Sequence, residues 1–327
     1  MADTSCRNLV DQAKNALILR PSTSERPRIR RRRIRTGEEV AGVIYAVGGM
    51  YDKSVERLDL EDTNPVWHYV APLNRKRFQL GVAVVDRFIY AVCGYDPSIG
   101  ILSSIERYNP VTNKWMSDVA SCPTGRYLFD VAALNDHIYA VGGVKKPSGL
   151  SLDVVECYDV RRDEWTSVAP MGSCRCSHSV SVLNGCLYAV GGHDGTAINT
   201  VERFDPRVGS WEKICPMSTP RERHGSAVIQ SDLYAVGGSK KGSRSLSSAE
   251  KYDVRANKWI SVADMSGSRV GLRLAAVNGK LWAIGGTDGS NTYSSIEVFD
   301  PKTSQWKGHS NMNCGRDFPG VAVLQKP

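Results

Sequence analysis

Short apolar runs of four to six residues recur along most of the chain, each bounded by glycine, asparagine, aspartate or proline. Runs of that length with that punctuation predict β-strands. One run ends in a small doublet and returns six times: Ile44 to Gly49, Ile89 to Gly94, Ile138 to Gly143, Leu187 to Gly192, Leu233 to Gly238 and Leu281 to Gly286. The first residues of the doublets are Gly48, Cys93, Gly142, Gly191, Gly237 and Gly285, so the steps are 45, 49, 49, 46 and 48 residues. Three further features keep the same phase. They are a glutamate (Glu56, Glu106, Glu156, Glu202, Glu250, Glu297), a tryptophan (Trp67, Trp115, Trp165, Trp211, Trp259, Trp306) and an arginine (Arg77, Arg126, Arg175, Arg221, Arg269, Arg316). Several features in register six times define a repeat, in which each unit is one supersecondary element.

Each unit predicts four short strands. Strand a follows the arginine and alternates, as in Gly81-Val82-Ala83-Val84, and turns such as Asn184-Gly185 and Asn278-Gly279 carry hairpin chemistry. Strand b is the run that ends in the doublet. Strand c holds the glutamate and closes on Asp-Pro at Asp205-Pro206 and Asp300-Pro301, and strand d carries the tryptophan. A sheet this small cannot bury both faces alone, whereas radial stacking of several buries them and leaves only short edges. The first unit starts at strand b, and Arg316 to Leu324 reads as an orphan strand a. The last strand is therefore expected to complete the first sheet.

The paired glycines, the Glu-x-aromatic-Asp run and the spaced tryptophan resemble the kelch repeat family over roughly residues 43–324. The resemblance implies an all-β chain: a six-bladed kelch β-propeller over 43–327, with blade one closed by the C-terminal strand. Upstream, Cys6-Arg7-Asn8-Leu9-Val10-Asp11-Gln12-Ala13-Lys14 is similar to the closing helix of the BACK domain in BTB–BACK–kelch proteins. On that likeness residues 1–20 are a BACK-like helical remnant and residues 21–42 a linker. The chain then corresponds to the C-terminal portion of such a protein, without the BTB domain that supplies dimerisation and cullin binding in that family.

Charge refines the picture. The 327 residues carry a formal net charge of +8, and residues 1–36 alone hold ten Lys/Arg against three acids. Seven of those arginines fall within residues 26–35, where proline and the lack of apolar periodicity read as a solvated linker. The remaining body is almost neutral, which argues against nucleic acid or an anionic membrane as its partner. Nine cysteines at irregular spacing, behind a start with no basic-then-apolar layout, fit reduced thiols in a cytoplasmic protein, with cytoskeletal or nuclear association open.

No catalytic constellation emerges, and no cofactor or metal is expected. Cys174-Arg175-Cys176-Ser177-His178 is the one local Cys/His cluster, and its alternate-residue spacing suits chelation poorly. The copper and sialidase patterns of enzymatic propellers are missing. Binding is the better supported class. Because strands alternate in direction, the b–c and d–a loops share one rim, with fifteen Lys/Arg against six acids, while the other rim has nine against twelve. If the six strand-c glutamates offset the six repeat arginines, an excess of three positive charges survives on the first rim.

Kelch-like adaptors engage acidic or polar peptide segments on that rim, and the resemblance assigns contacts to Arg77, Arg126, Arg175, Arg221, Arg269 and Arg316. Phe78, Tyr95, Tyr127, His193 and Tyr293 are the accompanying rim anchors. It implies the substrate-recognition part of a cullin-RING ubiquitin ligase adaptor. Cullin-RING contact is expected only if a longer chain supplies BTB. An actin-binding cytoskeletal protein is the alternative, and a kelch-type oxidase or glycan-processing enzyme the third reading.

Overall fold

A computed structural model describes residues 42–50, 52–146, 149–240 and 244–325. The chain divides into Met1–Glu38 and Glu39–Pro327, and the propeller is the second unit. The expected BACK-like remnant and all of the linker except Gly42 lie outside the described residues. Gly42 itself already opens the first strand, Gly42–Val47.

Six four-stranded antiparallel sheets stack around a central axis. Blades 2 to 6 are contiguous in sequence. Blade 3, for example, runs a to d through Asp130–Leu134, His137–Val141, Val155–Asp159 and Glu164–Val168. Blade 1 is built from both ends of the propeller: Gly42–Val47, Val55–Asp59 and Trp67–Val70 supply b, c and d, and Gly320–Gln325 supplies a. Gly42 lies opposite Gln325 and Val47 opposite Gly320, a six-residue register. The predicted closure is observed. Described residues of the propeller contain no helix.

Burial explains the composition of each strand. Strand b is sandwiched by neighbouring blades on both faces, so Cys186–Val190 is buried throughout and reads as a continuous apolar run. Strand a lines the centre and alternates, as Gly81–Val85 does. Strand d is the outer edge, where Glu164–Val168 keeps only Trp165 and Val168 half-buried. Six hydrophobic clusters fill the gaps between successive blades. Burying one leucine, such as Leu187, contributes about 1.5–3 kcal/mol. In blades 2 to 6 the repeat tryptophan packs on the strand-c aromatic of its own blade, with Tyr158 and Trp165 centroids 5.1 Å apart. In the same blades its indole N–H also donates back to the preceding blade, from Trp165 Nε1 to the Ala120 carbonyl at 3.1 Å and from Trp211 to Ala169 at 2.9 Å, for example.

Backbone handedness sets the turns and the doublets. Asn184 and Gly185 have φ of 52° and 74°, the two left-handed residues of the tightest hairpin. Gly142 has φ of 59°, and a Cβ there would sit 2.5 Å from the carbonyl oxygen of Arg175. The doublet is thus where one blade lets the backbone of the next approach.

Candidate functional site

The six repeat arginines are the largest fully or almost fully buried polar side chains, exposed by 0–3%. Each enters through the d–a loop and turns inward beneath its own b–c loop. Arg221 Nη1 donates to the carbonyls of Gly237 and Ser248, each at 2.9 Å, Nη2 donates to Ser248 Oγ at 2.9 Å, and both Nε and Nη2 reach Glu250 Oε1. Arg77 pairs with Glu106, Arg126 with Glu156, Arg175 with Glu202, Arg269 with Glu297 and Arg316 with Glu56. The Arg175–Glu202 contact is 2.5 Å. Guanidinium groups consumed in this way have no face to offer a partner. The expected contact role of Arg77, Arg126, Arg175, Arg221, Arg269 and Arg316 is therefore corrected: they tie each d–a loop to strands b and c of the same blade. The physical reason is desolvation, since a buried charge must be matched by a counter-charge and hydrogen bonds.

The neutralisation leaves the rim positive. Lys53, Arg75, Lys76, Lys145, Lys146 and Arg223 are exposed there. Their acidic neighbours are largely committed: Asp96 is buried and accepts from the Ser98 amide and hydroxyl, and Asp52 accepts from those of Ser54. These bonds hold both carboxyls below the usual range despite opposing burial.

Of the other expected residues, the structure gathers three. Phe78 and Tyr127 each follow a repeat arginine and form antiparallel bridges to Tyr95 and Val144 of the b–c loops. The Phe78 and Tyr95 rings are 5.2 Å apart and the Tyr95 and Tyr127 rings 5.6 Å apart, giving a continuous aromatic shelf over blades 2 and 3. Tyr127 and His193 line a concavity of about 350 Å³ that also takes Val144, Leu150, Asp194 and Arg223. Leu150 is 89% exposed at its edge. His193 Nε2 is 4.0 Å from Glu222. A second concavity of about 720 Å³ is edged by Lys53, Arg75 and Lys76. Tyr293 stands apart in blade 6, with its ring 4.6 Å under the Arg269 guanidinium and its hydroxyl 3.0 Å from Asp288.

Sequence reasoning missed the residues around the central mouth. Two positions after each arginine come Gln79, Leu128, Ser177, Arg223, Gly271 and Phe318, all with φ between 51° and 68°. Successive amides reach round the mouth, from Ser177 to the Leu128 carbonyl, Arg223 to Ser177, Gly271 to Arg223 and Phe318 to Gly271, at 2.7–2.9 Å. The signal was their fixed distance from the arginine; their unlike side chains hid it. Just inside, Arg273 of blade 6 reaches Asp130 of blade 3 at 3.3 Å across the axis. His178 and His224 are buried there, and burial drives His224 down to about 3 and His178 well below its ordinary value, so both are neutral. Asp317 is buried with Oδ1 unpartnered among the described residues, and burial pushes it up to about 6.

Within the Cys174–His178 cluster, Cys176 and His178 are buried and Cys174 is half-buried. Among the described residues no three His, Cys, Asp or Glu side chains are placed to hold a metal ion. No helix among them is long and apolar enough to cross a membrane.

Six radial sheets, each locked by an Arg–Glu pair beneath its rim, define a six-bladed β-propeller with a loop-built face. The kelch motif matches residues 76–117, 125–172, 174–218, 220–266 and 268–313, and the chain belongs to the kelch repeat family. The five matched stretches are blades 2 to 6; the blade outside them is the one split between the two ends of the propeller. A solved structure titled "Structure of YjhT" superposes with a TM-score of 0.74 at 17% identity, covering 83% of this chain and 97% of that one, a likeness of fold.

Proposed function

We propose that this propeller is a protein-binding module that takes an acidic or polar peptide segment on the face of b–c and d–a loops. In a longer chain that supplies BTB it serves as the substrate-recognition part of a cullin-RING ubiquitin ligase adaptor, and it is not itself an enzyme. The reading rests on one observation. After all six repeat arginines are neutralised internally, the face still presents exposed cations beside the Phe78–Tyr95–Tyr127 shelf. Aromatic anchors with arginine and lysine around them suit a partly apolar acidic peptide. The peptide's carboxylates meet Arg223, Lys145 and Lys146, and its apolar groups meet Tyr127 and Leu150.

The kelch family and the loop-built face support this reading, whereas the ligase and the partner enter by resemblance to BTB–BACK–kelch adaptors. The test is capture of acidic peptides by the wild-type chain and by K145E/K146E. Affinity falls at least tenfold with an unchanged melting temperature if this face binds, because both side chains are exposed rim charges. Equal capture by both proteins would mean that another surface does the work. Saturable pelleting with filamentous actin, lost in the same variant, would favour the cytoskeletal reading.

A further inference from the structure

The doublet that ends strand b is Gly-Gly in five blades and Cys93-Gly94 in blade 2. In blades 3, 4 and 5 a Cβ on the first glycine would touch the terminal methyl of a methionine four residues before the next blade's arginine. The distances are 3.1 Å for Gly142 and Met171, 2.8 Å for Gly191 and Met217 and 3.2 Å for Gly237 and Met265. Blade 1 places Leu73 there, 3.4 Å from Gly48. At the corresponding contact between blades 2 and 3, the two partners are Cys93 and Cys122. Where those blades set a glycine against a long side chain, this contact sets one thiol against another.

The backbone brings the pair to one place. The Cys93 amide donates to the Ser104 carbonyl at 3.1 Å, and the Cys122 amide to the adjacent Ser103 carbonyl at 2.9 Å. Cys93 Sγ lies 3.8 Å from that same Ser103 oxygen, and both cysteines belong to one buried cluster. Cys93 also holds φ of 51°, a left-handed conformation that a β-carbon disfavours and that glycine adopts at this site in the other blades. Surroundings divide the roles. The neighbouring Cys122 thiol, and after it the Arg126 and Arg77 guanidinium groups, favour a thiolate at Cys93 against the opposing effect of burial, whereas Cys122 donates to Glu156 Oε2 at 3.2 Å.

We propose that Cys93 and Cys122 form a reversible disulfide joining blade 2 to the segment that enters blade 3, with a peroxide as oxidant. The Cys93 sulfur attacks the peroxide O–O bond, leaving a sulfenic acid, and the departing hydroxide takes up the thiol proton as water. The Cys122 sulfur then displaces the sulfenic hydroxyl, which leaves with the second thiol proton as another water. Peroxide gains two electrons and the pair loses two. Both sulfurs are buried, so the reaction follows local opening of the segment around exposed Ser121 and Pro123. The proposal is independent of what the face binds.

The test uses the reduced full chain, exposed to hydrogen peroxide while folded, then acid-quenched, unfolded, alkylated and digested. A Cys93–Cys122 linked peptide that dithiothreitol separates is the expected product. The cross-link spans 29 residues, and the oxidised protein should melt on the order of 5 °C higher. The variant C93G/C122M, which restores the pairing of blades 3 to 5, should fold and show neither the linked peptide nor the shift. Recovery of both cysteines as alkylated thiols, at a dose that oxidises half-buried Cys174, Cys215 or Cys314, overturns the proposal. So does their recovery in bonds to other cysteines.

Discussion

Replacing Arg175 by alanine separates a structural arginine from a contact arginine. In the folded protein its guanidinium serves the Gly191 carbonyl at 2.9 Å, the Thr200 carbonyl at 3.1 Å and Glu202 at 2.5 Å, with no exposed surface. Removal strands the buried Glu202 carboxylate with the Gly172 amide as its remaining described hydrogen bond, and leaves two carbonyls without this donor. Breaking a buried ion pair costs about 3–5 kcal/mol, a large part of the roughly 5–15 kcal/mol that holds a domain together. For a chain of this size that lowers the melting temperature by about 5–8 °C. Burial itself draws the Arg175 pKa down, but Glu202 draws it back up, and the group stays charged at neutral pH. The double variant R175M/E202L removes both charges and should recover part of the loss, since apolar replacement of a whole pair is often close to neutral. Calorimetry of wild type, R175A, R175M/E202L and the exposed-site control K145A gives the comparison, with peptide capture measured in parallel. A melting point for R175A within about 2 °C of wild type, together with lost capture, would refute the structural assignment and return Arg175 to the binding surface.

Two further outcomes follow from the same geometry. Asp317 titrates near 6 in the folded chain against about 3.9 for a free aspartate, so the folded state binds the extra proton between those values and stability falls as pH rises through the window. D317N, which carries no charge to bury, should therefore be stabilised relative to wild type by about 2–3 kcal/mol at pH 7.5 and by little near pH 4, read from urea titrations at both values. Deleting residues 316–327 removes strand a of blade 1 with its six-residue pairing and Arg316, the partner of Glu56. The cooperative thermal transition should collapse, and a transition of full enthalpy would show that the ring does not depend on its closing strand.

How far the sequence was legible varies with the physics behind each feature. Strand b was plain because burial on both faces demands an unbroken apolar run, as in Cys186–Val190, and closure was plain because Gly320–Gln325 keeps the phase of a strand a that has no other sheet to join. The arginines were misjudged for a different reason. A guanidinium suits a bound carboxylate and a buried one equally well, and only the fold shows that Glu202 lies within reach of Arg175. The six glutamates in phase with six arginines were the available clue. Tyr293 looked like Tyr127 in sequence, yet Arg269 and Asp288 already occupy its ring and hydroxyl. The mouth residues from Gln79 to Phe318 share a backbone conformation and no chemistry, and a pattern of side chains cannot expose them.

The split blade also decides how the ring answers to force. Gly42 and Gln325 face each other at the same end of an antiparallel pair, so tension between them pulls the two strands directly apart. The hydrogen bonds of that pair then load one after another, from Gly42–Gln325 towards Val47–Gly320, as a zipper opens. A ring closed by pairing its two ends thus carries a seam with little mechanical resistance. Stretching by the two ends would open the ring at blade 1 while the other five sheets, whose strands are contiguous, still hold.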